Sequence, residues 1–195
     1  TQSEAVVEKR TIDGKDVVGI RLNSKKRYIT LAPVATVIGM AFRLKDPDKV
    51  LHDELPEDKR KSEAYQKSGD LGITCALIPR ATSGMKIGDR HDPMGVPFHN
   101  GPIVCEDAFV PIDTIIGGLA GVGNGWRMLM ECLAAGRSIS LPALSVGAAQ
   151  MSTRQVGAYA TVREQFDTPI GRFEGIEEPL ARIAGTAYLI DAARR

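Results

Sequence analysis

The sequence predicts an α+β fold: an antiparallel β-sandwich or barrel followed by helices. Three observations carry this. Before Gly117, short runs of β-branched and apolar residues alternate with turn residues and show no helical period. After it, apolar residues recur at helical spacing, and the two regions meet at the glycine-rich GGLAGVGNG. The predicted division is a β domain over residues 1–118 and a helical domain over 119–195.

The predicted strands are DVVGIRL (Asp16 to Leu22), YITL (Tyr28 to Leu31), TVIGMAFRL (Thr36 to Leu44), ITCALIP (Ile73 to Pro79), MKIGD (Met85 to Asp89) and IVCEDAFVP (Ile103 to Pro111). In KKRYITLAP the alternation puts Tyr28 and Thr30 on one face. Between Lys45 and Asp70 the chain mixes both signs of charge with few apolar residues, and a solvated surface excursion is expected there. Trp126, Leu129, Met130 and Leu133 then fall at i, i+3, i+4 and i+7, with Asn124 available as an N-cap. Pro142 is expected to kink this helix without ending it, because small residues continue on both sides. A second helix carries Ile176, Leu180, Ile183, Ala187 and Ile190 on one stripe, and Glu177, Glu178 and Pro179 suit its first turn. No internal repeat is present.

Charge and cysteine usage exclude several classes. A net charge of +1, from 25 basic and 24 acidic residues, leaves no electrostatic footprint for nucleic acid. The apolar runs around Pro142 are short and interrupted, so no membrane segment is expected. Cys75, Cys105 and Cys132 lack C-x-x-C spacing, which argues against a disulfide framework or zinc site and for a reducing compartment. His52, His91 and His99 share no metal-ligand spacing, and no metal is expected. GVGNG precedes a helix and could cradle a phosphate, but it departs from G-x-G-x-x-G, and a domain hinge is the favoured reading. No serine sits in a G-x-S-x-G elbow, and Cys132 has no evident base nearby. The chain starts at Thr1 without a signal-peptide pattern and ends inside a predicted helix, which reads as a piece of a longer protein.

Five ordered segments carry a resemblance. Tyr28-Ile29-Thr30 is similar to a Trp-Ile-Thr strand; GITCALIP precedes a glycine-punctuated turn; MGVPFHNGPIVCEDAFVPIDTIIGG follows. Next come G-x-G-W-x-M-L-x-x-x-L-x-x-G-R, ending at Arg137, and Y-x-x-x-R-x-Q-F from Tyr159 to Phe166, followed by PIGRFEGIEEPLARIA. Together they resemble the acyl-CoA dehydrogenase family from about Asp16 onward. KRYITLAP, DLGITCALIP and GIEEPLARIAG are most similar to the long bacterial enzymes of fatty-acid β-oxidation.

The resemblance implies an FAD-dependent dehydrogenase converting a fatty acyl-CoA to trans-2-enoyl-CoA, with the second region opening a C-terminal four-helix bundle. Tyr28, Ile29 and Thr30 would be flavin contacts: Tyr28 beside the rings, and the Thr30 hydroxyl donating to N5, where negative charge grows as hydride arrives. Tyr28 stands where the family has Trp, with less stacking area and a hydroxyl that needs a partner. Arg163, Gln165 and Phe166 match the segment that reaches the FAD of a neighbouring subunit, and a guanidinium suits pyrophosphate. Its competing use is to satisfy the last carbonyls of a helix. Asp167 replaces a usual glycine, and Phe173-Glu174 stands where relatives show His-Gln, so the latter contacts are not carried over.

Arg137 matches the arginine near the acyl-CoA region, expected to be buried against a carboxylate or phosphate unless it pairs within its own helix. Gly136 occupies the place of a catalytic glutamate in some subfamilies and cannot act as a base, so the catalytic residue is left unassigned. Glu131 is the weaker candidate, and a glutamate beyond Arg195 the stronger, which makes the isolated piece inactive. Implied partners are a fatty acyl-CoA, an electron-transfer acceptor and further copies in a homo-oligomer. A cytoplasmic location is expected, with any membrane association left to other segments. The alternatives are an acyl-CoA oxidase and a non-catalytic interaction module.

Overall fold

The computed structural model describes residues 3–96 and 98–195. The chain forms two compact units, one ending at Met128 and one spanning Leu129–Arg195. In the first, β1 (Ser3–Ile12), β2 (Lys15–Thr30), β3 (Val37–Lys45), β4 (Asp70–Pro79), β5 (Met85–Ile87) and β6 (Asn100–Pro111) make one sheet in the order β4-β3-β1-β2-β6-β5. All neighbours run antiparallel except β1 and β3, which are parallel. The α+β class stands. The parallel pair was not expected, since it is set by long-range topology that local patterns do not carry.

The strand β1 also escaped the sequence reading. Glu4, Glu8, Lys9 and Arg10 interrupt its apolar signal, and only Ala5 and Val7 are buried. Its link to β2 is Asp13-Gly14, both at positive φ (51° and 76°), as a tight two-residue hairpin requires. Val7, Ile20, Leu22, Ile38, Met40, Phe42, Leu44, Ile78, Ile103 and Val110 alternate along the strands into one buried core. Each such side chain is worth about 1.5–3 kcal/mol when buried. Lys26 lies half-buried near the buried thiols of Cys75 and Cys105, and its Nζ donates to the Ala41 carbonyl at 3.1 Å. Burial pushes the Lys26 amine down and both thiols up.

The excursion between Lys45 and Asp70 is packed, contrary to the solvated loop expected. It holds two short helices, α1 (Glu57–Arg60) and α2 (Glu63–Ser68), the second capped by Ser62 accepting from Tyr65 N–H. Leu51, Leu55 and Tyr65 are buried, as is Asp46. The Asp46 carboxylate accepts from Val50 N–H (2.8 Å), Leu51 N–H (3.0 Å) and the Tyr65 hydroxyl (3.1 Å). Three apolar side chains among many charges are too sparse for a composition argument, yet they suffice to dock the segment.

The glycine run is likewise pinned where a loose junction was expected. After α3 (Gly118–Gly121), Gly123 N–H donates to Thr74 Oγ1 at 3.0 Å, and a Cβ on Gly123 would stand 2.3 Å from the Leu71 carbonyl oxygen. The backbone approaches β4 too closely for any side chain. Asn124 precedes the first residue of α4: its carbonyl accepts from Met128 N–H at 3.0 Å, and its Oδ1 accepts from Lys59 Nζ at 3.1 Å.

Helix α4 (Gly125–Val162) begins in the first unit and runs into the second, continuing past Pro142 as the small flanking residues suggested. By length and composition it is long and apolar enough to cross a membrane, contrary to the short runs expected, because the helix continues through Pro142. The remainder is a small hairpin, β7 (Glu164–Gln165) and β8 (Thr168–Pro169), a 3₁₀ turn at Ile170–Arg172, and α5 (Glu174–Arg194). On α5 the stripe Ile176, Leu180, Ile183, Ala187 and Ile190 is buried or half-buried, as expected, while Tyr188 and Leu189 are exposed.

Candidate functional site

The end of β2 is built around a bulge. Lys26 pairs with Ile103 and Ile29 with Gly101, so Arg27 and Tyr28 together oppose Pro102 alone. Before the bulge the even positions Ile20, Leu22 and Ser24 face the core; after it the odd position Ile29 packs against the core. One extra residue thus turns Tyr28 and Thr30 outward, both exposed. Simple alternation places these two side chains together. It does not show that an unbulged strand would have aimed them into the core, and the signal available was the change of parity between Leu22 and Ile29.

The next turn fixes this end. Leu31 adopts a left-handed φ of 62°, a costly conformation for a side chain with a Cβ, and its N–H donates to the His99 carbonyl at 2.6 Å. Arg80 Nη1 donates to the carbonyls of Ala32 (2.9 Å), Pro33 (3.2 Å) and Ala35 (3.2 Å), clamping the turn. Thr30 pairs with Asn100, and Asn100 bridges to His91, whose N–H donates to the Asn100 carbonyl at 2.9 Å. Thr30, Asn100 and His91 therefore stand side by side across three stretches of backbone. The His91 ring meets Tyr28 edge-on (centroids 4.8 Å apart, 69°), and the Arg27 guanidinium lies 5.0 Å from the Tyr28 ring centre. Among the described residues the Thr30 hydroxyl has no hydrogen-bond partner, and the buried atoms His91 Nδ1 and Asn100 Oδ1 have none either. The outward-facing Tyr28 ring and the Thr30 hydroxyl fit a flat ligand that accepts a hydrogen bond, such as a flavin.

Arg137, Arg163, Gln165 and Phe166 lie in the second unit. Arg163 ends α4: its N–H donates to Tyr159 and its carbonyl accepts from Ile170 N–H at 2.8 Å. Its guanidinium is exposed and makes no ion pair among the described residues, so it is not spent on the helix carbonyls. Phe166 and Asp167 form the two-residue turn of the β7–β8 hairpin with φ of 53° and 56°. That geometry favours glycine, asparagine or aspartate, and it projects Phe166 outward, 91% exposed. Arg137 is exposed, contrary to the burial expected, with no ion pair among the described residues. Glu131 lies six residues before it on α4, about 9 Å along the axis and roughly 120° around it. The two therefore do not share a face. Among the described residues no cluster of three metal-ligating side chains occurs.

Residues 123–193 match the family model described as acyl-CoA dehydrogenase, C-terminal domain. The chain is 47% identical over 118 residues to Protein HemX of Proteus mirabilis, covering 60% of this chain and 61% of that one. It is 35% identical over 130 residues to the probable acyl-CoA dehydrogenase YngJ of Bacillus subtilis, covering 66% of this chain but 32% of the relative. Among solved structures it resembles an acyl-CoA dehydrogenase from Bacillus anthracis complexed with FAD, with a TM-score of 0.68 and 22% identity over 100% of this chain and 28% of that one. The strand-then-helix order and the match over α4 and α5 agree with the fold of that structure. The chain is thus similar to acyl-CoA dehydrogenases: residues 123–193 match that family's C-terminal domain, and the chain spans less than two thirds of the length of the relatives it matches.

Proposed function

We propose that this chain supplies flavin and acyl-CoA contacts in an FAD-dependent acyl-CoA dehydrogenase that converts a fatty acyl-CoA to trans-2-enoyl-CoA. The observation that carries the reading is the outward pair Tyr28 and Thr30 at the clamped end of β2, with no protein partner on the Thr30 hydroxyl among the described residues. FAD bound there would accept the substrate β-hydrogen as hydride at N5. Tyr28 offers the rings an apolar surface and Ile29 anchors the strand from the core side. The Thr30 hydroxyl would donate toward N5, where a fixed donor is worth more than water because it needs no reorganisation. In the second unit, Arg163, Gln165 and Phe166 would hold a neighbouring subunit's FAD, and Arg137 would serve the acyl-CoA. The partners are then a fatty acyl-CoA, an electron-transfer acceptor and further copies of the protein; the location is the cytoplasm.

No residue of this chain is assigned as the base that removes the α-proton. The isolated chain is expected to show no dehydrogenation, measured as bleaching of an added electron-accepting dye. The test of the whole reading is an anaerobic absorbance spectrum of the full-length protein before and after a long-chain acyl-CoA. Bleaching of the oxidised flavin band supports it; a flavin-free or unresponsive protein overturns it. Thr30→Val is expected to keep FAD bound while slowing the bleaching about 100-fold, with Thr30→Ser restoring most of it. Oxygen consumption on substrate addition would identify an oxidase instead.

A further inference from the structure

We infer that His91 is a positioning residue for Tyr28, locking the aromatic ring in the attitude a flavin needs; the inference rests on the flavin reading above. Tyr28 sits in a bulge, outside the paired register of β2 and β6, and is 57% exposed. A side chain in that setting has few neighbours to choose its rotamer, and a ring that swings freely offers no fixed surface for stacking. Two contacts hold it: Arg27, on its own strand, and the edge-on His91 ring at 4.8 Å. Arg27 is exposed on a long flexible stem, whereas His91 is fixed by its backbone pair with Asn100, which is itself paired to Thr30. The ring that orients Tyr28 is therefore tied into the same lateral row as Thr30.

The hydrogen-bonding of His91 points the same way. Its Nδ1 is buried and has no partner among the described residues, so this histidine is not kept for a bond made at that atom. A buried nitrogen without a partner costs stability, and its ring contact with Tyr28 is the interaction left to account for its place. Edge-on aromatic pairs favour one mutual orientation, which is the property a positioning residue supplies.

The test is a double-mutant cycle in the full-length protein, reading FAD dissociation by flavin fluorescence and the visible circular dichroism of the bound flavin. His91→Ala is expected to weaken FAD binding by about two- to tenfold and to change the flavin dichroism. His91→Phe, which keeps a ring and removes the unpartnered nitrogen, is expected to restore both. In a Tyr28→Ala background, His91→Ala is expected to have no further effect, because nothing is left for it to orient. Equal losses in both backgrounds, or a His91→Ala protein that binds FAD like the unmodified one, would overturn the inference while leaving the flavin reading standing. If His91→Ala does not fold, a His91→Phe protein with weakened binding and altered dichroism overturns it, and one matching the unmodified protein upholds it. An unmodified protein that takes up no FAD removes the flavin reading and this inference with it.

Discussion

At Tyr65 a single hydroxyl settles a buried charge. Asp46 is completely buried and draws two backbone N–H groups and the Tyr65 O–H onto its carboxylate. Burial, and then the negative charge of Asp46, push the tyrosine up to about 12 from its usual 10.0. Because the folded value lies above the unfolded one, this stabilisation is complete below about pH 10 and is lost as pH rises toward about 12. Tyr65→Phe is expected to cost about 1–2 kcal/mol at neutral pH in urea unfolding and to remove that alkaline loss. The roles of Tyr65 and Asp46 were not legible in the sequence, where both sat in a charged stretch whose composition spoke for solvent. Tyr28 and Thr30, by contrast, were marked by alternation and by the resemblance; what stayed hidden was the unpaired geometry of Arg27 and Tyr28, which depends on the distant Pro102 and Gly101.

Elements follow the same division between local and non-local causes. The stripe on α5 and the passage of α4 through Pro142 could be read directly, because helical spacing is a property of neighbours in the chain. β1 could not, because half of its reason to be a strand lies in β3, more than thirty residues away in sequence. The β7–β8 hairpin shows a local rule being strained: its turn residues Phe166 and Asp167 both hold positive φ, which glycine would adopt without penalty. Asp167→Gly is expected to stabilise the hairpin by about 0.5–1 kcal/mol, read as a rise in melting temperature. Phe166 would keep its outward position in that variant, so FAD binding is expected to be unchanged if the ring, and not the strain, is what matters there.

For the molecule as a whole, the first strand in the chain is an interior strand of the sheet. β1 is flanked by β2 on one side and β3 on the other, and it contributes Ala5 and Val7 to the core. A chain beginning at Asp13 is expected to lose the cooperative thermal transition of the first unit, followed by circular dichroism, since β3 and β4 would no longer join the rest of the ladder. The second unit differs in kind: Ile139, Leu144 and Met151 of α4 and Tyr188 and Leu189 of α5 are exposed, so its apolar surface is only partly used within the chain. The interior place of β1 also has a consequence in time. As the polypeptide leaves the ribosome, β1 and β2 can close their hairpin at once, but the other edge of β1 must wait with its amides and carbonyls unmatched until residue 45 has emerged. During that interval the nascent hairpin carries an open edge that would accept any passing strand, and the charged side chains of Glu4, Glu8, Lys9 and Arg10 guard it until β3 arrives.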